Sequence, residues 1–155
     1  EPGVPGQKDF DRPLAERGDE DALRMGRALA KMGEVPDAIV SSPAARAKQT
    51  AEAAARAMKF GGAMLLERAL YDAPGEAWLA ALKALPASAD SALVVAHSPG
   101  IDEAAALLAG TEPGAFDVPT GALIAFTAAI EQWRDLESGA ASLRWFLRPK
   151  LVERL

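Results

Sequence analysis

The chain contains one histidine, His97, and no cysteine. His97 follows directly on the apolar run Leu93-Val94-Val95-Ala96 and precedes Ser98-Pro99-Gly100, a helix-start signal in which proline suits the first helical position. An imidazole so placed stands at the C-terminal end of a buried strand, where open α/β sheets bind their ligands. Near neutral pH it can carry charge, hydrogen-bond an anion or move a proton. A second junction has the same build, Ile39-Val40-Ser41-Ser42-Pro43. Each junction sets a helix N-terminus, with its free N–H groups and positive dipole end, beside a strand end, which favours an anion. Arg46 falls in about the first turn of the first of these helices. If the two strands neighbour one another in a parallel sheet, Arg46 and His97 converge on one anionic group. A guanidinium fork suits phosphate because it donates two parallel hydrogen bonds. Plainer readings stand beside this one: Ser-Pro as an ordinary helix start, His97 as a satisfied structural residue, Arg46 as a solvated side chain.

The elements that must position these groups can be read from periodicity. Residues 1–18, rich in Gly, Pro and charge, read as a long loop. Leu23, Met25, Ala28, Leu29 and Met32 recur at helical spacing, predicting a helix over 20–32 that Gly33 ends. A strand is expected at 38–41, followed by a helix with Ser42 as N-cap and Pro43 at its first position, running to about Met58. Gly61-Gly62 breaks the chain before a short strand at 63–66, and a helix is expected at 76–85. The second clear strand covers 92–96, with a helix at 99–109 ended by Gly110. Strands at 121–129 and 142–147 close the pattern, Leu143, Trp145 and Leu147 alternating with Arg144 and Arg148. Helices between strands with continuous apolar centres predict an α/β fold, three-layer α/β/α around a mainly parallel central sheet. Trp78, Trp133 and Trp145 read as packing residues.

Composition bounds the rest. At 155 residues, 50% hydrophobic and 25% charged, the chain reads as one globular domain spanning 1–155. A net charge of −5 argues against general binding to nucleic acid or an anionic membrane, yet leaves room for a small anion in a local cationic pocket. Without cysteine there is no disulfide, thiol nucleophile or thiolate metal site, and zinc would need His97 with carboxylates alone. No metal and no cofactor are therefore expected. No apolar run is long enough to span a bilayer and no signal peptide is visible, so the expected setting is cytoplasmic. Oligomeric state is open.

Four segments carry a family resemblance. Ser41-Ser42-Pro43-Ala44-Ala45-Arg46-Ala47-Lys48-Gln49-Thr50 resembles the S-P-x-x-R-A-x-Q-T block of histidine phosphatases, the phosphoglycerate mutase-like superfamily. Val95-Ala96-His97-Ser98-Pro99-Gly100 resembles that family's second-histidine block, with Ser98 where Asn is frequent. Asp9-Phe10-Asp11-Arg12-Pro13-Leu14 through Gly18 resembles the D-x-x-R-P-L-x-x-x-G segment of the SixA-like phosphohistidine phosphatase branch, as does the terminal 143–149 segment. The resemblance implies a phosphoglycerate mutase-like fold and hydrolysis of a phosphorylated protein or small molecule through a phosphohistidine enzyme intermediate. It implies that Arg12, Arg46 and His97 bind the phosphoryl oxygens, with Arg46 and His97 catalytic.

The family's first strand ends in Arg-His-Gly or Arg-His-Ala, and that histidine is the nucleophile. It is not found between Glu1 and Leu155. It is expected just upstream of Glu1, and residues 1–155 alone are expected to be inactive. Glu67, Asp72 and Glu76 are the available carboxylates for a general acid, none in a compelling context; a phosphohistidine substrate needs such an acid least, because a protonated imidazole leaves readily. Two other readings are an inactive phospho-ligand binding module and a small-molecule phosphomonoesterase on the same fold. Arg17 reads as a surface residue.

Overall fold

Strand β1, Ala38–Ser41, is buried along its whole length, as an apolar strand sandwiched between helices must be. The computed structural model describes residues 8–155. β1 pairs in parallel with β2 (Ala63–Leu66) on one side and with β3 (Ala92–Val95) on the other, giving the order β2-β1-β3. The register sets Ser41 opposite both Leu66 and Val95.

The strand period of two divides this sheet between two helical layers. Ile39, with Met64, Leu93 and Val95, packs against Leu29 of helix α1 (Glu16–Lys31) and Ala51, Ala54 and Met58 of helix α2 (Ala45–Met58). Ala38, Val40, Ala92 and Val94 turn the other way, toward Trp78 of helix α3 (Gly75–Lys83) and Ala104 of helix α4 (Gly100–Ala109). The result is the three-layer α/β/α arrangement expected from the sequence. Alanine and glycine let the helices within a layer approach closely: a Cβ on Gly26 of α1 would stand 2.6 Å from the Ala54 carbonyl oxygen of α2.

The last two strands differ from the expected sheet. β4 (Leu123–Ala128) and β5 (Ala141–Leu147) pair antiparallel with each other, in a sheet separate from β1–β3. Their connection, only 12 residues from 129 to 140, holds no crossover helix of the kind a parallel pair requires. A groove lies between β3 and β4. It comprises two cavities of about 500 and 370 Å³, both lined by Leu93, Val94, Ile101 and Leu123. Among the described residues, β3 and β4 are therefore edge strands facing a common apolar space.

Several boundaries move. α1 starts at Glu16, earlier than expected, and α2 and α4 start at Ala45 and Gly100, after their Ser-Pro pairs instead of on the prolines. A short C-terminal helix, α5 (Pro149–Glu153), and three single-turn 3-10 helices at Asp9–Asp11, Arg68–Leu70 and Trp133–Asp135 carry no period long enough to announce them. The part of the expected N-terminal loop before Lys8 lies outside the described residues. Among the described residues, no helix is long and apolar enough to cross a membrane.

Candidate phosphate site

The two strand-to-helix junctions meet. Because β1 and β3 are hydrogen-bonded neighbours in register, Ser41 and Val95 end side by side, and the Ser42 backbone N–H continues the ladder to the Val95 carbonyl at 2.9 Å. Two residues on, His97 Nε2 lies 2.9 Å from the Ser42 hydroxyl oxygen. Ser42 is fully buried and its Oγ also accepts from the Ala44 N–H at 3.2 Å. That corrects the expected N-cap: Ser42 caps a turn one residue ahead of the helix and orients the His97 ring. Burial first, and the positive charge of Arg46 second, hold the His97 pKa below its ordinary 6.5. Both effects favour the neutral ring, which donates from one nitrogen only.

The Arg46 block of α2 is explained residue by residue. Arg46 projects from the first turn toward the segment before α1. Thr50, one turn on, donates its hydroxyl back to the Arg46 carbonyl at 2.8 Å. Gln49 Oε1 accepts the Leu14 N–H, pinning the chain that follows Arg12 and Pro13 to α2. The spacing R-x-x-Q-T thus serves two tasks on one helix face, a guanidinium for the site and an amide that holds the neighbouring loop.

Arg12 and Arg46 come together through a residue the sequence reading did not single out for a role. Asp9, in the first 3-10 turn, takes the Arg46 Nη1 hydrogen bond on its carbonyl oxygen at 2.9 Å and that of Nη2 on Oδ2 at 3.2 Å. Arg12 Nη2 stands 3.4 Å from Asp9 Oδ1. Tyr71, just beyond β2, donates its hydroxyl to Asp9 Oδ2 at 2.8 Å. The Tyr71 hydrogen bond holds the Asp9 carboxyl below the usual carboxylate range, with Arg46 and Arg12 acting in the same sense against a desolvation that opposes them. The same bond raises the Tyr71 pKa, so its hydroxyl stays a donor. The Tyr71 ring meets His97 edge to face at 5.5 Å and Phe10 at 5.0 Å, and the Arg68 guanidinium caps Phe10 at 5.3 Å. The one signal available beforehand was that Asp9 opens the D-x-x-R-P-L block and Tyr71 is the only tyrosine.

The remaining candidates fall elsewhere. Glu67 turns back to accept the Ala69 N–H at 3.0 Å. Asp72 sits at a positive φ of 50°, near enough to act electrostatically on both His97 and Tyr71. Glu76 lies in the first turn of α3, where it complements the helix dipole. Arg17 is 65% exposed and pairs with Asp21 and Glu153 at the protein surface. Trp78 is buried in the α3–α4 layer, Trp133 donates its Nε1–H to the Ala89 carbonyl, and Trp145 packs on the α1–α2 side. Among the described residues no group of three or more His, Asp or Glu is arranged to hold a metal ion.

The site is thus a cationic and hydrogen-bonding rim at the C-terminal ends of β1 and β3, opening into the groove beside β3, whose lining includes both Arg46 and His97. This is the ligand position of an α/β/α fold. The sequence profile of the histidine phosphatase superfamily (branch 1) matches residues 3–71. No curated protein matches the chain. Among solved structures, a protein assigned as the phosphohistidine phosphatase SixA of Agrobacterium tumefaciens superposes with a TM-score of 0.80 at 28% identity, over 96% of this chain and 91% of that one. The corresponding assigned SixA of Nakamurella multipartitia gives 0.81 at 26%, over 94% and 90%. The protein histidine phosphatase SixA in complex with tungstate shares the fold, at 0.80 and 23% identity over 97% and 92%. Over residues 3–71 the chain is thus similar to the histidine phosphatase superfamily, and in its fold it resembles the SixA-like proteins, a likeness that supports a phosphatase-type hydrolase.

Proposed function

We propose that this protein is a phosphohistidine phosphatase in which Arg46, Arg12 and His97 bind the phosphoryl group. The observation that carries the reading is the convergence of Arg46 and His97 at the ends of two adjacent parallel strands, with Arg12 held to the same cluster through Asp9. Arg46 and Arg12 supply charge to the phosphoryl oxygens, and His97, neutral and oriented by Ser42, donates one hydrogen bond to them. Catalysis of phosphoryl transfer rests mostly on such positioning and electrostatics.

The attacking group in this proposal is a histidine on a strand that precedes Glu1 and lies in the groove between β3 and β4. Its imidazole nitrogen attacks phosphorus, the bond to the substrate nitrogen breaks, and the leaving imidazole departs with a proton. Water then hydrolyses the phosphohistidine intermediate. Two features support a strand in the groove: the facing edges of β3 and β4, whose unpaired backbone groups are costly to bury without partners, and the buried Trp78 Nε1–H, which lines the groove and has no hydrogen-bond partner among the described residues. The His97 and Arg46 end of the groove is where the nucleophile must emerge.

A phosphohistidine substrate fits the carboxylates in view. Asp9 is engaged by Arg46, Arg12 and Tyr71, and Glu67 by the Ala69 N–H, so neither is set to protonate an alkoxide, and a phosphohistidine substrate has the least need of such an acid. The expected substrates are phosphorylated proteins, in a cytoplasmic setting. Substrate profiling of the protein carrying its upstream segment tests the reading. Hydrolysis of a phosphohistidine protein with little action on sugar phosphates is expected. Efficient cleavage of sugar phosphates with phosphohistidine protein untouched would overturn it in favour of a phosphomonoesterase, and phosphate binding without any hydrolysis would mark a binding module.

A further inference from the structure

Asp9 meets the donors of the site end-on. Its carbonyl oxygen and Oδ2 occupy Nη1 and Nη2 of Arg46, the fork face of the guanidinium that a phosphoryl group would engage, while Arg12 and Tyr71 close on the same carboxylate. A brace that merely aimed Arg46 would leave that face open. The carboxylate is also poorly anchored by packing. Its side chain is 53% exposed, against 25% for Arg46 and 28% for Arg12, and it sits in a single 3-10 turn without a side-chain cap. The turn itself is held by the next residue, since Phe10 packs edge-on to Tyr71 beneath the Arg68 guanidinium. Rotation about the Asp9 side chain can therefore free Arg46 Nη2, Arg12 and Tyr71 without unfolding the turn, while Arg46 Nη1 stays on the Asp9 carbonyl oxygen.

We propose that Asp9 and Tyr71 form an internal latch on the phosphate site, the Asp9 carboxylate holding Arg46, Arg12 and Tyr71 until a phosphoryl dianion displaces it. The latch rests on the reading that these arginines bind phosphate. It makes the site selective by charge: a carboxylate with one negative charge already satisfies the donors, so an incoming anion gains only what its extra charge and oxygens add, and weak monoanions are turned away. On displacement, Tyr71 keeps its proton and its ring, edge to face with His97, remains as the wall of the pocket.

Calorimetric titration of the protein carrying its upstream segment with inorganic phosphate at low salt tests this, comparing the native protein with Asp9→Asn and Arg46→Ala. Asn keeps the shape and removes the charge. The latch predicts that Asp9→Asn tightens phosphate binding by about 3- to 10-fold, the scale of a few solvent-exposed ion pairs released together. A role confined to bracing Arg46 predicts the opposite sign. Binding that is unchanged or weakened in Asp9→Asn while Arg46→Ala loses it overturns the latch and leaves the phosphate site standing. Absence of phosphate binding in both the native chain and Asp9→Asn overturns the site and the latch together. Thermal melts of the three proteins confirm that each is folded.

Discussion

His97 is the group whose environment most changes its expected behaviour. Burial and the neighbouring Arg46 disfavour its cationic form, so the folded state binds a proton less readily than the unfolded chain does. The stability linked to His97 is therefore full above the unfolded value near 6.5 and falls as pH drops through 6.5 toward the lower folded value. Urea unfolding at pH 7.5 and 5.5 is expected to show a larger loss for the native chain than for His97→Gln; equal losses would mean the ring is not desolvated. Asp9, held below its ordinary value of 3.8, acts in the same direction but in a lower pH window, below about 4, so the two do not overlap. Arg46 carries the binding prediction. Arg46→Ala is expected to weaken phosphate or vanadate binding by about 1.5–3 kcal/mol, the worth of a charged hydrogen bond, and unchanged calorimetric affinity would remove it from the site. Of this cluster, Arg46 and His97 were legible from the sequence, because each follows a strand-Ser-Pro junction. The resemblance supplied Arg12. Asp9 and Tyr71 are 62 residues apart and show no local pattern that would join them.

At the scale of elements, the site depends on how closely the helices approach the sheet and each other. α1 and α2 cross at Gly26, where a methyl group would press on the Ala54 carbonyl at 2.6 Å and the Ala57 Cβ at 2.8 Å. Gly26→Ala is expected to destabilise by about 1–3 kcal/mol despite its better helix propensity, because overpacking a close crossing costs more than that propensity returns. Gly61→Ala, with nothing within 4 Å of the added Cβ, is the control and should be nearly neutral in the same denaturation series. If Gly26→Ala also proves neutral, the α1–α2 crossing is softer than its geometry indicates. The five strands and four main helices were legible from period and punctuation, since their apolar faces are long enough to show it. The exact helix starts were not: the Ser42 hydroxyl oxygen accepts from the Ala44 N–H and also hydrogen-bonds with His97 Nε2, and a tertiary partner of that kind leaves no mark on the local sequence.

For the molecule as a whole, the groove between β3 and β4 is the feature with the widest consequence. In residues 1–155, amides of β4 alternate between those bonded to β5 and those directed at the groove. Hydrogen exchange by NMR is expected to follow that alternation, fast toward the groove and slow toward β5, while β1, paired on both sides, is protected throughout. Uniformly slow exchange along β4 would mean that its free edge is already covered. The amino-acid sequence by itself determined the class of fold, the two strand-end junctions and the pairing of one histidine with one arginine, because these follow from local periodicity and from residue chemistry at fixed spacing. Only the tertiary structure decided that the last two strands form an antiparallel sheet of their own, that an apolar groove runs beside β3 to the site, and that Asp9 and Tyr71 complete the arginine cluster. Those features arise from contacts between segments remote in the chain, whose pairing is selected by packing and charge in three dimensions and not by any pattern within the segments themselves.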